Sequence, residues 1–254
     1  MSAEMQRRAL LVAAGALALA PSAAAAASAA ARQASAAPAF TTELTTYSSN
    51  GKAIRAAVFR PTGPARGSGV VLMHGSGGIG PEQVVLGEKF AADGYVAVVP
   101  TYLDAAEDDV VRPEPVMNAW RDCGADAIEW LIGQGIAAER TGIMGYSLGS
   151  HIAVDGALGR SRAGAAISVA GGWDVYTPRR PARRIPVLLI SAQRDTHVRP
   201  VSTAHWRHFL VEQGVPVRAR TVRGAGHLMT RRQWDQVYAY ALDFFNGNIG
   251  RLPQ

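Results

Sequence analysis

The sequence predicts an α/β protein: a mostly parallel central sheet with helices on both faces and an antiparallel hairpin at its N-terminal side. Three observations lead there. Short β-rich runs alternate with longer helix-like stretches from about residue 40 to residue 250. Several of those runs are continuously apolar, as strands buried on both faces are. Asn50-Gly51 stands between two β-forming segments, the strongest short-range hairpin signal.

In chain order, Thr41–Tyr47 and Ala53–Phe59 form the hairpin. Gly69–Met73 is a short apolar strand that stops at Gly75, and Glu82–Ala92 a helix ended by Gly94. Tyr95–Pro100 is a strand and Pro115–Ile132 a helix carrying Trp120, Ile128 and Leu131. Thr141–Tyr146 is a strand followed by a helix over Leu148–Leu158, and Ala163–Ala170 and Val187–Ser191 are further strands. Val201–Gln213 is a helix closed by Gly214, Val217–Val222 a strand, and Arg231–Phe245 a final amphipathic helix. No repeat or linker interrupts this pattern, so residues 38–254 read as a single domain.

Composition narrows the class. Of the 254 residues, 48% are hydrophobic and 18% charged, which excludes a disordered chain. The net charge of +6 is spread along the sequence rather than gathered in a basic stripe with aromatics, so no nucleic-acid partner is expected. Cys123 is the only cysteine, which rules out an internal disulfide and a multi-cysteine zinc site. Residues 1–37 read as a signal peptide with an Ala-rich leader. Arg7-Arg8 precedes an apolar run from Ala9 to Ala20, and A-x-A sites follow. Cleavage is expected between about Ala25 and Ala37 by that preference. The pair resembles a twin-arginine signal, and the mature chain is expected in the periplasm. The apolar run is shorter than the roughly 20 residues of a membrane span.

The chemistry gathers at three strand ends. Gly145-Tyr146-Ser147-Leu148-Gly149 is a G-x-S-x-G turn between a strand and a helix. Such a turn is so sharp that the residues two before and two after the serine must be small. The helix that follows aims its first amides at the same point, where negative charge is welcome. A serine hydroxyl needs a base, and the base an acid to hold it. His227 in Gly226-His227, after the last strand, is the candidate base. Asp195, just after strand Val187–Ser191, is the candidate acid, with Asp174 as runner-up. The third piece is His74-Gly75-Ser76-Gly77-Gly78, a glycine-rich loop after strand Gly69–Met73. No Gly-Lys-Ser/Thr follows, so it is not a P-loop.

These motifs resemble the α/β-hydrolases, and most closely the dienelactone hydrolase-like branch, over about residues 40–250. The likeness rests on H-G-S-G-G at 74–78, G-Y-S-L-G at 145–149, the segment around Asp195 and the Gly-His at 226–227. Dienelactone hydrolases proper carry a cysteine nucleophile and a glutamate beside the oxyanion strand, where this chain has Ser147 and His74. The resemblance therefore implies the hydrolytic machinery and not the lactone substrate. It implies a Ser147–His227–Asp195 triad and an oxyanion hole of two backbone amides. One is that of Leu148. The other is assigned to Ser76, with Gly75 and Gly77 as close alternatives, and His74 is read as a support behind the loop.

The expected activity is cleavage of a small-molecule ester through an acyl-enzyme, with no cofactor and no metal. The same triad serves a peptidase or amidase, and a non-catalytic binding protein on this scaffold is the remaining alternative. Tyr102 and Trp173 are the candidate substrate-binding residues. The segment Gly171–Pro186, with Tyr176, Arg179, Arg180, Arg183 and Arg184, reads as a solvated charged loop. His151 and Cys123 read as packing residues, and His205 and His208 as surface or packing residues.

Overall fold

Asn50 and Gly51 both take left-handed backbone angles, φ 48° and 78°, as a two-residue hairpin turn requires. They join β1 (Phe40–Ser49) to β2 (Lys52–Pro61), which pair antiparallel in register from Phe40–Pro61 to Ser49–Lys52. The computed structural model describes residues 39–107, 112–173 and 178–250. The leader expected over 1–37 lies outside these residues, and so do Asp174 and Tyr176.

The other strands are β3 (Ser68–Met73), β4 (Tyr95–Pro100), β5 (Thr141–Tyr146), β6 (Ala165–Val169), β7 (Val187–Ala192) and β8 (Val217–Val222). The eight lie in the order β1-β2-β4-β3-β5-β6-β7-β8. β2 runs antiparallel to β4, and every later pairing is parallel. β3, β6 and β7 are buried at every position, which is why they read as unbroken apolar runs. β8 is an edge strand, and the exposed Arg218 and Arg220 on it discourage further strand addition.

Five helices cover the sheet: α1 (Pro81–Ala92), α2 (Glu114–Gly133), α3 (Leu148–Leu158), α4 (Pro200–Glu212) and α5 (Arg231–Asn248). On one face α1 and α5 pack Leu86, Phe90, Val237, Phe244 and Phe245 against β3, β4, β6 and β7. On the other, α2, α3 and α4 bury Trp120, Ile128, Ile152, Val154 and Trp206. Two short 3-10 turns that the sequence reading lacks, Tyr102–Ala105 and Ala138–Arg140, follow β4 and precede β5. Cys123 lies inside α2, its thiol 2.9 Å from the Tyr47 hydroxyl, and burial pushes it up to about 12. His151 stacks on Trp206 at 4.9 Å. Both are therefore core residues.

Arg179, Arg180 and Arg184 are exposed, as expected of a solvated loop, but Arg183 departs from it. Arg183 folds back and donates to the carbonyls of Ala157 (3.2 Å), Ser161 and Ala163 (2.9 Å). It thereby satisfies acceptors at and beyond the C-terminus of α3, which the helix itself leaves open. Arg184 binds the Gln213 carbonyl at 3.0 Å, and Arg179 pairs with Glu114.

One charged pair is buried between α2 and α3. Arg121 and Asp155 meet at 3.2 Å with side chains 5% and 2% exposed. Burial pushes the Asp155 carboxyl up to about 6, against the pull of the guanidinium. Two buried charges cost more to desolvate than their attraction returns, but one left alone is worse. Arg121→Leu is thus expected to destabilise the domain by about 3–5 kcal/mol. The double change Arg121→Met with Asp155→Leu should recover most of that loss in thermal melts.

Candidate active site

The nucleophile turn is built by exclusion. A Cβ on Gly145 would lie 1.9 Å from the Gly149 carbonyl oxygen, and one on Gly149 would lie 2.3 Å from the His74 carbonyl oxygen and 2.7 Å from that of Met73. Only hydrogen fits at either place, so α3 can start directly against the end of β3. Ser147, between them, is held at φ 52° and ψ −120°. That conformation costs a non-glycine residue about 1–3 kcal/mol. It is secured by the Ser147 N–H donating to the Val169 carbonyl at 2.9 Å, and by the Ser147 carbonyl accepting from the Ser150 hydroxyl at 2.6 Å.

The structure brings the three sequence-derived side chains into one hydrogen-bonded series. Ser147 Oγ lies 3.0 Å from His227 Nε2, and His227 Nδ1 lies 2.7 Å from Asp195 Oδ2. The carboxylate can only accept, so Nδ1 carries the proton and Nε2 is left free to accept from the serine. The Asp195 side chain is fully buried. Its other oxygen accepts the backbone N–H groups of His197 and Val198, each at 2.9 Å. Asp195 therefore keeps both oxygens satisfied, and its orientation toward His227 is fixed.

Local sequence decides where His227 sits. The N–H of Thr230 donates to Gln233 Oε1 at 2.8 Å, half of the reciprocal cap that starts a helix. This fixes the start of α5 four residues beyond His227. The Tyr146 hydroxyl donates to the His227 carbonyl at 2.7 Å, and its ring stacks on the imidazole at 5.4 Å. Burial, more than the nearby Glu82 and Asp195, pushes the phenol up to about 12, so it remains a donor. The opposite side of the cluster holds His197, whose ring lies 4.9 Å from that of His227 at 27°. Neither Tyr146 nor His197 was singled out from sequence. Tyr146 stands inside the G-x-S-x-G motif and could have been found there, whereas the His197 stacking exists only in three dimensions.

The glycine-rich loop closes over the serine. Gly78, at φ 86°, donates its N–H to the Gly75 carbonyl at 3.2 Å. A Cβ on Gly75 would lie 3.3 Å from the Tyr146 ring and 3.5 Å from Ser147 Cβ, so the loop backbone touches the nucleophile turn. Ser76 is exposed at the tip. Leu148 gives α3 its first amide, which has no partner within the helix. His74 is buried behind the loop with Nδ1 2.7 Å from the Gly75 carbonyl. Burial lowers its imidazole below the usual value, outweighing that carbonyl. A neutral ring donates through Nδ1 to this acceptor.

The expectation that Tyr102 forms a pocket wall is corrected here. Tyr102 is fully buried, stacks on His74 at 4.4 Å and donates its hydroxyl to the His74 carbonyl at 3.0 Å. It braces the loop from beneath and presents no surface to a substrate. Trp173 is half-buried, its ring packs edge-to-face on Phe209 at 4.8 Å, and its backbone N–H donates to the Ser202 carbonyl at 3.1 Å. His208 is exposed and paired with Glu212 at 3.1 Å.

An eight-stranded sheet of this order, with a strained serine at the end of β5, is that of an α/β-hydrolase. The model of the dienelactone hydrolase family matches residues 54–243, and the chain belongs to that family of hydrolases. Solved structures agree on the fold. A dienelactone hydrolase from Anabaena variabilis is 18% identical, with a TM-score of 0.67, over 83% of this chain and 99% of its own. An esterase from Pyrobaculum calidifontis is 17% identical, with a TM-score of 0.65, over 87% and 90%. An acylaminoacyl peptidase from Pyrococcus horikoshii is 17% identical, with a TM-score of 0.66, over 85% of this chain but 43% of its own. No curated protein matches the sequence.

The two tight glycines make a direct test. Gly145→Ala and Gly149→Ala should each cost at least about 1–3 kcal/mol, a fall in Tm of several degrees, because the atoms they meet are backbone. Gly63→Ala, with nothing within 4 Å of the new carbon, should melt with the wild type.

Proposed function

We propose that the chain is a serine carboxylic-ester hydrolase that works through an acyl-enzyme. The observation that carries this reading is the unbroken series Ser147–His227–Asp195, at 3.0 and 2.7 Å, with the serine strained into the mouth of α3. Ser147 Oγ attacks the ester carbonyl carbon while His227 Nε2 takes its proton. The amides of Leu148 and Ser76 hold the oxyanion, each worth about 3–4 kcal/mol of transition-state stabilisation. As the tetrahedral intermediate collapses, His227 returns the proton to the leaving alcohol. Water, activated by the same imidazole, then hydrolyses the acyl-serine and restores the free hydroxyl. Asp195 holds the tautomer and stabilises the imidazolium without itself taking the proton. Every proton transfer is served by these side chains, so the cycle calls for neither metal nor cofactor. The Arg7-Arg8 pair and the apolar run after it support a periplasmic site of action.

Ser147→Ala and Asp195→Asn separate this reading from a binding role. The first should abolish ester turnover, and the second should lower kcat by about 10⁴-fold, with neither lowering Tm. Wild-type turnover in Ser147→Ala would remove the serine from the mechanism.

A further inference from the structure

Beside the triad, α1 and α5 leave a groove of about 360 Å³ between them. Its apolar walls are Val85 and Leu86 from α1, and Met229 and Trp234 from the start of α5. Met229 is two residues past His227, and Trp234 meets the Tyr146 ring edge-on at 5.1 Å. Tyr146 in turn stacks on His227. The groove thus lies beside His227, with the Tyr146 ring between Trp234 and the imidazole. The ion pair Lys89–Asp235, at 2.5 Å, ties the two helices together across it, toward the C-terminus of α1.

Val85 is 37% exposed in the groove wall, an apolar side chain offered to a ligand. The volume falls at the small end of ligand sites, enough for one chain. Glu82 to Lys89 spans about 10 Å of helix at 1.5 Å per residue, roughly the extended length of eight carbons.

We propose that this groove binds the apolar chain of the substrate's alcohol, making Val85 and Trp234 specificity-determining residues; the inference rests on the ester-hydrolase reading above. Chemistry chooses the alcohol over the acyl chain. The leaving oxygen must come to His227 Nε2 to receive its proton, so the group it carries lies on the histidine side, the side on which Met229 and Trp234 stand. The preferred substrate class is accordingly esters of linear, uncharged alcohols of about four to eight carbons, by the helix span given above.

Two substrate series test this. Along methyl to octyl acetate, kcat/KM should rise by up to about fourfold per added methylene. Along methyl acetate to methyl octanoate it should stay nearly flat. Val85→Glu and Val85→Lys, oppositely charged changes at a position 37% exposed, should both collapse the octyl-to-methyl acetate ratio. In calorimetry 1-octanol should bind the wild type and bind either variant at least about tenfold more weakly. A chain-length dependence confined to the acyl series, an unchanged ratio in both variants, or no octanol binding would overturn the proposal. Octanol binding without hydrolysis of any acetate would leave the groove standing and sink the ester-hydrolase reading. Acetate turnover without octanol binding would do the reverse.

Discussion

The C-terminal edge of the sheet depends on how closely α3 approaches β3. Carbonyl oxygens of Met73 and His74 occupy the space in which any side chain at residue 149 would have to stand. The same is true of residue 145 against the Gly149 carbonyl. Two hydrogens in place of two methyl groups let a strand turn directly into a helix. Ser147 is left at the apex with nowhere to relax, and its φ of 52° records that constraint. Strain of this kind survives only where the surroundings over-determine it. Here the surroundings are the Val169 carbonyl on one side and the Ser150 hydroxyl on the other.

From that contact the rest of the site follows. The close approach presses the β3 loop onto the serine, so amides from two elements can face one oxygen. Tyr102 and His74 hold the loop from below, with a ring stack and a hydrogen bond that need no exposed surface. Asp195 is buried, yet two backbone N–H groups and the imidazole satisfy it, so its burial carries no unmet polar cost. Tyr146 joins the two halves, since it belongs to the nucleophile turn and holds the His227 loop by its carbonyl. Ser147 and His227 are therefore positioned by neighbouring residues of one network.

Much of this was legible in the sequence because it is local. The glycines at 145 and 149, the Asn50-Gly51 turn and the apolar strands each state a backbone requirement within a few residues. Ser147, Asp195 and His227 fall at strand ends in an order that an open parallel sheet makes meaningful. What escaped depends on residues that meet only in space. Tyr102 looked like a pocket residue because it follows β4 at the active-site edge, but its ring finds His74 and turns inward. Arg183 looked solvated because its neighbours are charged, but unfilled carbonyls beyond α3 draw it in. The α1–α5 groove could not be read at all, since its walls come from opposite ends of the chain.

The most direct test of the central claim is active-site labelling of the purified protein with a fluorophosphonate, followed by peptide mapping. An assembled Ser147–His227–Asp195 series predicts one phosphonyl group per chain, carried by Ser147, and its loss in His227→Ala. Modification at another residue, or none in a protein that melts cooperatively, would contradict the account.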